Sequence, residues 1–252
     1  MKLAVFADIH ANVWALEAVL ADATERGVTA FLNLGDVLYG PLRPRETYER
    51  LMNVSFAATV QGNQDRQICE TTASESSANP TLAYVVSDLG REPVKWLQEL
   101  APTARFGDGV FLCHGTPTSD TTYLLEDVDS GHPMVRPAAS ILALLGGVTE
   151  PVVLCGHTHI PRLVELPDGR IIVNPGSVGL PAYADESPVR HVMETYSPHA
   201  SYAIVERGER GWGVSFHRVA YDHGQAARAA ESHGREDWAR ALRTGWMTGP
   251  AG

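Results

Sequence analysis

Short apolar, β-branched runs alternate along this chain with segments whose apolar positions recur every three or four residues. The runs are KLAVFA (2–7), AFLNL (30–34), FAATV (56–60), VFLC (110–113) and PVVLC (151–155), then RLVEL and RIIVN on either side of PDG. They are too apolar to be exposed and predict buried strands. SYAIVE near 201 and WGVSFHRV from 212 alternate apolar and polar positions, predicting a second, antiparallel layer joined by a Gly-rich turn. Between the runs lie predicted helices: VWALEAVLADATERG, with Asn12 as N-cap and Gly27 closing it, then PRETYERLM, TLAYVVSDLG, REPVKWLQEL and AASILALLG. A last amphipathic, charged helix is expected over about residues 224–243, packed on the outside, with a fraying MTGPAG tail. Strand and helix alternate without a linker before residue 220, so we expect one α/β layered domain over residues 1–252.

Composition narrows the function classes. No apolar run approaches the roughly 18 residues of a membrane span. The N-terminus MKLAVFADIHAN acquires Asp and His by residue 10, unlike a signal peptide, so a soluble, cytoplasmic protein with no membrane partner is expected. Thirty acidic against twenty basic residues give a net charge of −10, which argues against a long nucleic-acid footprint but leaves small anions open. Cys69, Cys113 and Cys155 form no CxxC pair and are too few for a disulfide framework; the latter two read as small core residues.

The chemistry lies just past the ends of the first five runs. AVFA leads to Asp8 and His10, FLNLG to Asp36, ATVQG to Asn63, VFLC to His114, and VVLCG to His157 and His159. Loops beyond the carboxyl ends of strands form the ligand crevice of open α/β sheets, so these side chains should converge on one edge. Taken singly, each has an ordinary reading: a post-strand Asp caps a helix, Asn after Gly marks a turn, a lone His sits in a core. Their recurrence at every early strand end favours a metal site. Imidazole, carboxylate and amide oxygen suit transition metals of borderline hardness, and seven such groups suffice for two ions sharing one carboxylate. His157 and His159 could then each bind a different ion.

Asp8-Ile9-His10, Gly35-Asp36, Gly62-Asn63, His114-Gly115 and Gly156-His157-Thr158-His159 together resemble the full motif set of the calcineurin-like metallophosphoesterases. The resemblance runs from residue 3 to about 180, and NPGSVGLP (174–181) looks like the site-supporting loop of the family's small bacterial and archaeal phosphodiesterase branch. It implies a four-layer αββα sandwich of two packed mixed β-sheets flanked by helices. It also implies two divalent ions, manganese, iron, zinc or nickel: one held by Asp8, His10 and His159, the other by Asn63, His114 and His157, with Asp36 bridging. The implied reaction is phosphodiester hydrolysis by in-line attack of metal-bound hydroxide, with His10, Asp36 and Asn63 at the reacting centre and His10 orienting nucleophile or leaving group. A dinucleoside polyphosphate hydrolase and a non-catalytic scaffold are the alternatives, and homo-oligomerisation is left open.

The family's usual Gly-Asn-His is here Gly62-Asn63-Gln64. Gln64 donates hydrogen bonds but cannot protonate an alkoxide, which biases the expected activity toward good leaving groups. For binding the small phosphoester or nucleotide, we expect Gln64 itself, Tyr123 in the long 115–137 insertion as a stacking partner or lid residue, and Arg162 and Arg190 as phosphate contacts, with His191 beside the last in a second insertion at 182–199.

Overall fold

The computed structural model describes residues 1–247; the rest of the MTGPAG tail lies outside the described residues. The chain begins with β1 (Lys2–Phe6), α1 (Val13–Glu25), β2 (Ala30–Asn33), α2 (Pro44–Met52) and β3 (Phe56–Thr59), followed by α3 (Asn63–Glu70), α4 (Ala73–Ala78), α5 (Pro80–Leu89) and α6 (Arg91–Gln98). Next come β4 (Thr103–Phe106), β5 (Val110–Cys113), β6 (Glu126–Asp127), β7 (Met134–Val135), α7 (Ala138–Leu145), β8 (Val152–Leu154), β9 (Arg162–Glu165) and β10 (Ile171–Asn174). The hairpin β11 (Ala182–Asp185) and β12 (His191–Glu194), the long pair β13 (Ala200–Gly208) and β14 (Gly211–Val219), and helices α8 (His223–Ser232) and α9 (Glu236–Thr244) complete it.

Two five-stranded mixed sheets form the centre, in the orders β14-β13-β1-β2-β3 and β4-β5-β8-β10-β9. Within each, three adjacent strands run parallel, and antiparallel neighbours extend the sheet. The period-2 alternation of β1 shows how the layers stack. Leu3, Val5 and Ala7 turn inward to meet Val110, Leu112, Val152 and Leu154 of the other sheet, while Ala4 and Phe6 turn outward under α1, α2, α5, α8 and α9. On the far side, Phe111, Cys113, Val153 and Cys155 pack under Ile141 and Leu145 of α7. The order helix, sheet, sheet, helix is the expected four-layer sandwich, and both inner cysteines are core residues as read.

Several elements differ from expectation: β13 and β14 pair onto β1 and extend its sheet instead of forming a second layer, and α4, β6, β7 and the β11–β12 hairpin have no counterpart among the predicted elements. Asn63 opens a helix, α3, rather than a turn; only Asp65 and Ile68 of its eight residues are buried, too few to print a helical period. The edge strand β4 has no apolar signature in sequence because no residue of TARF is buried. The single C-terminal helix is two, broken where Gly234 adopts φ +70°, as a glycine past a helix end readily does. Among the described residues, no helix is long and apolar enough to cross a membrane.

Leu32 is fully buried between the sheets. Leu32→Ala is expected to cost about 2–5 kcal/mol, read as a lower denaturation midpoint in urea. A loss under about 1 kcal/mol would mean that the inter-sheet layer is not tightly packed.

Candidate metal centre

The carboxyl ends of β1, β2, β3, β5 and β8 meet at one edge of the sandwich. There Asp8, His10 and His159 form one group, and Asp36, His114 and His157 a second, each with ligand-type atoms within 4.8 Å of one another. All but His157 are buried. Asn63 joins the second group, its Oδ1 3.0 Å from His114 Nε2, which lies 3.4 Å from Asp36 Oδ2. The sequence-read set of seven thus assembles in two clusters.

The chain fixes which nitrogen each imidazole offers. His10 Nδ1–H donates to the Tyr39 carbonyl (3.1 Å), His114 Nδ1–H to that of Leu34 (2.7 Å) and His159 Nδ1–H to that of Leu180 (2.6 Å), so all three present Nε2 inward. His157 is turned the other way, with Nε2 3.2 Å from the Thr121 carbonyl, and offers Nδ1. In the first cluster this leaves two Nε2 lone pairs facing each other at 3.1 Å, and Asp8 Oδ1 at 3.3 Å from His159 Nε2 with no hydrogen-bond partner. Three buried acceptors without a proton among them are a poor arrangement alone and a suitable one around a cation. The donor set therefore fits divalent ions.

Protonation follows the same crowding. Burial, then His159, pushes His10 down to about 4; burial, then His114, does the same to His157. Burial would also favour neutral His114, but the Asp36 and Asp8 carboxylates override it and raise that ring to about 10. Burial opposes charge on Asp36 and Asp8 too, yet His114 and His159 respectively hold them below the ordinary carboxylate range. Asp65 stands apart from the clusters. Its buried carboxylate accepts from the backbone N–H groups of Asp36 (2.8 Å), Val37 (2.9 Å) and Gly62 (3.0 Å), tying two ligand loops together, while burial and then Asp36 push it up to about 7.

The 174–181 loop braces the site from behind. Asn174 Nδ2 donates to the Gly156 carbonyl and Thr158 Oγ1, Ser177 Oγ and Gly179 N to the Asp8 carbonyl, and Val178 N to that of Ala7. It links the loop after β1 to the loop after β8.

A cavity of about 300 Å³ opens on the clusters. His10, Asp36, Asn63, His157 and His159 line it, with Gln64 beside them. The other expected substrate contacts are elsewhere. Tyr123 is buried behind His157, its ring 4.7 Å from the imidazole and its hydroxyl bonded to His191 Nε2 (2.9 Å) and Tyr183 (3.0 Å), so it supports a candidate ligand and offers no free stacking face. Arg162 is spent on the buried Glu126 at 2.7 Å, and Arg190, 86% exposed in its side chain, faces solvent beside Glu186. None of the three lines the cavity. In the 182–199 insertion the residues that line the cavity are Ala182 to Asp185 of β11, not Arg190 or His191, and what sequence reading missed is Arg235, Asp237 and Trp238 at the start of α9, placed there as outside packing. Trp238 stands edge-on to His10 at 5.7 Å. No local signal in the sequence marks this contact, because its partner lies near the other end of the chain.

Residues 1–196 match the calcineurin-like phosphoesterase superfamily domain, and the chain belongs to that family. The structure superposes on the crystal structure of a metallophosphoesterase from Sphaerobacter thermophilus with a TM-score of 0.76 and 26% identity, covering 98% of this chain and 100% of that one. An uncharacterized protein of Methanocaldococcus jannaschii is 24% identical over 258 residues, 94% of each chain. The protein is a calcineurin-like metallophosphoesterase with two side-chain groups able to hold divalent ions.

A Cβ on Gly179 would run into the Ile9 carbonyl oxygen, between Asp8 and His10. Gly179→Ala is therefore expected to weaken manganese binding by about 10- to 100-fold in calorimetric titration, as loss of ligand support commonly does. Undiminished affinity would show that the loop gives way without moving either side chain.

Proposed function

We propose that this chain is a dinuclear metal-dependent phosphodiesterase acting on a small phosphodiester, including nucleotide esters, by in-line attack of water on phosphorus. Asp8, His10 and His159 would hold one ion and Asn63, His114 and His157 the other, with Asp36 the carboxylate available to both. When bound, two such ions supply a water activated near neutral pH and offset charge on the phosphoryl oxygens. Manganese, iron, zinc and nickel all suit this donor set.

The observation that carries the diester reading is the shape around Asn63. That residue lines both the 300 Å³ cavity and a second recess of about 400 Å³ walled by Arg66, Glu70, Asn79 and Thr121. A phosphodiester has two organic arms at phosphorus and a monoester has one, so two recesses that share the candidate ligand Asn63 suit the diester. Leaving-group chemistry supports the same choice. All four imidazoles turn one N–H toward a backbone carbonyl and the other nitrogen toward the clusters, so none is left to protonate a departing alkoxide. Gln64, at the cavity wall, can only donate a hydrogen bond. His10 keeps an orienting role through its place between the first cluster and the cavity.

Stripping with EDTA and reloading with manganese should restore hydrolysis of bis(p-nitrophenyl) phosphate ahead of p-nitrophenyl phosphate and diadenosine tetraphosphate. Asp36→Asn should stay at the stripped level. Monoester in first place would sink the diester reading, and the tetraphosphate in first place would replace it with anhydride hydrolysis. Gln64→His is expected to raise turnover of diesters with alkyl leaving groups by about 10²-fold or more, the contribution typical of a general acid. An unchanged ratio of alkyl to aryl rates would show that leaving-group protonation is not what this site lacks.

A further inference from the structure

The cavity wall contributed by β11 and the start of α9 has a charge pattern of its own. Arg235 is the only Lys or Arg among the residues lining this cavity, and it is fully engaged. Its Nε and Nη2 grip Asp237 at 2.8 and 2.6 Å, its Nη1 donates to Thr81 Oγ1 at 2.6 Å, and its guanidinium lies 5.5 Å over the Trp238 ring. A guanidinium paired in this bidentate way is neutralised where it stands and costs little further ordering. Asp185, across on β11, accepts from Ser187 N at 2.9 Å and has no cationic partner among the described residues. The wall therefore presents one compensated ion pair and one uncompensated carboxylate. Leu180, Ala182, Ala184 and Met247 fill the space between with apolar surface.

Such a wall receives hydroxyl and amide-type donors on its carboxylates and a flat or ring-shaped body on its apolar side, and it repels a second anion. At about 300 Å³ the cavity is at the small end for ligand sites and suits one nucleoside-sized group. Helices α8 and α9 lie beyond the residues matched by the family domain. We propose that the start of α9 and strand β11 form the specificity wall of the site, admitting a neutral, hydroxylated arm such as a nucleoside and turning away an arm that carries a second phosphate. This rests on the phosphodiesterase reading for the reaction, but the selection belongs to the wall alone.

The test compares the p-nitrophenyl ester of thymidine 5′-phosphate with the same ester bearing an added 3′-phosphate, on the manganese-loaded protein. The wild type is expected to prefer the neutral arm in kcat/KM by about tenfold or more, the scale of a like-charge penalty. Asp185→Lys should bring the ratio toward parity or invert it, and Asp237→Asn, which frees Arg235, should shift it the same way. Equal kcat/KM for both esters in the wild type, or a ratio untouched in both variants, would overturn the proposal. Calorimetric binding of thymidine 5′-phosphate and of thymidine 3′,5′-bisphosphate to the same proteins separates the two readings. A mononucleotide preference that Asp185→Lys abolishes supports the wall even where no ester is cleaved, in which case the hydrolase reading alone fails. Binding of neither nucleotide overturns the wall.

Discussion

An L-residue with φ near +60° crowds its Cβ against the following carbonyl, at a cost of about 1–2 kcal/mol. Asp8 (φ 56°), His10 (50°), Asp36 (55°), His157 (71°) and His159 (61°) all carry that conformation, and outside this site only Tyr196 does so among the described non-glycine residues, Ala11 being next to His10. Asp and His tolerate the region better than most residues, which eases the cost without removing it. The remainder is held by hydrogen bonds between loops. Asp8 N reaches the Gly35 carbonyl, His10 N that of Asp36 and Ala11 N that of Val37, while Asp65 pins the loop after β2 to the start of α3. Strain of this kind persists only where surrounding structure over-determines it, and here it turns side chains into one small volume.

Neither cluster belongs to one sheet. The first takes Asp8 and His10 from the sheet of β1 and His159 from that of β8; the second takes Asp36 from the former and His114 and His157 from the latter. The inter-sheet core of Leu3, Val5, Leu32, Leu112 and Leu154 therefore sets the distance between half-sites, so packing and ligand geometry are one problem. Binding of ions to both halves must in turn favour the packed sandwich over any state in which the sheets separate, by about 2.7 kcal/mol at a hundredfold excess over Kd.

Much of this was legible because it depends on local patterns. Parallel strands buried on both faces leave continuous apolar runs, and PRETYERLM marks α2 to the residue, with proline at its start. The seven candidate ligands were legible too, since each lies just beyond such a run. Side chains whose meaning depends on a partner distant in sequence were not legible. Arg162 reads as a free cation until Glu126 is seen beneath it, Tyr123 reads as a surface ring until Tyr183 and His191 close over it, and Arg190 shows no sign in sequence that it points away. The cavity wall was hidden for the same reason. Nothing local to GREDWAR says that this segment returns to the first strand loop and sets Trp238 against His10.

The two-cluster assignment is tested most directly by anomalous diffraction from crystals grown with manganese. Two peaks are expected, one among Asp8, His10 and His159 and one among Asn63, His114 and His157, with Asp36 reaching both. A single peak, or manganese bound away from these side chains, would contradict a shared two-ion centre.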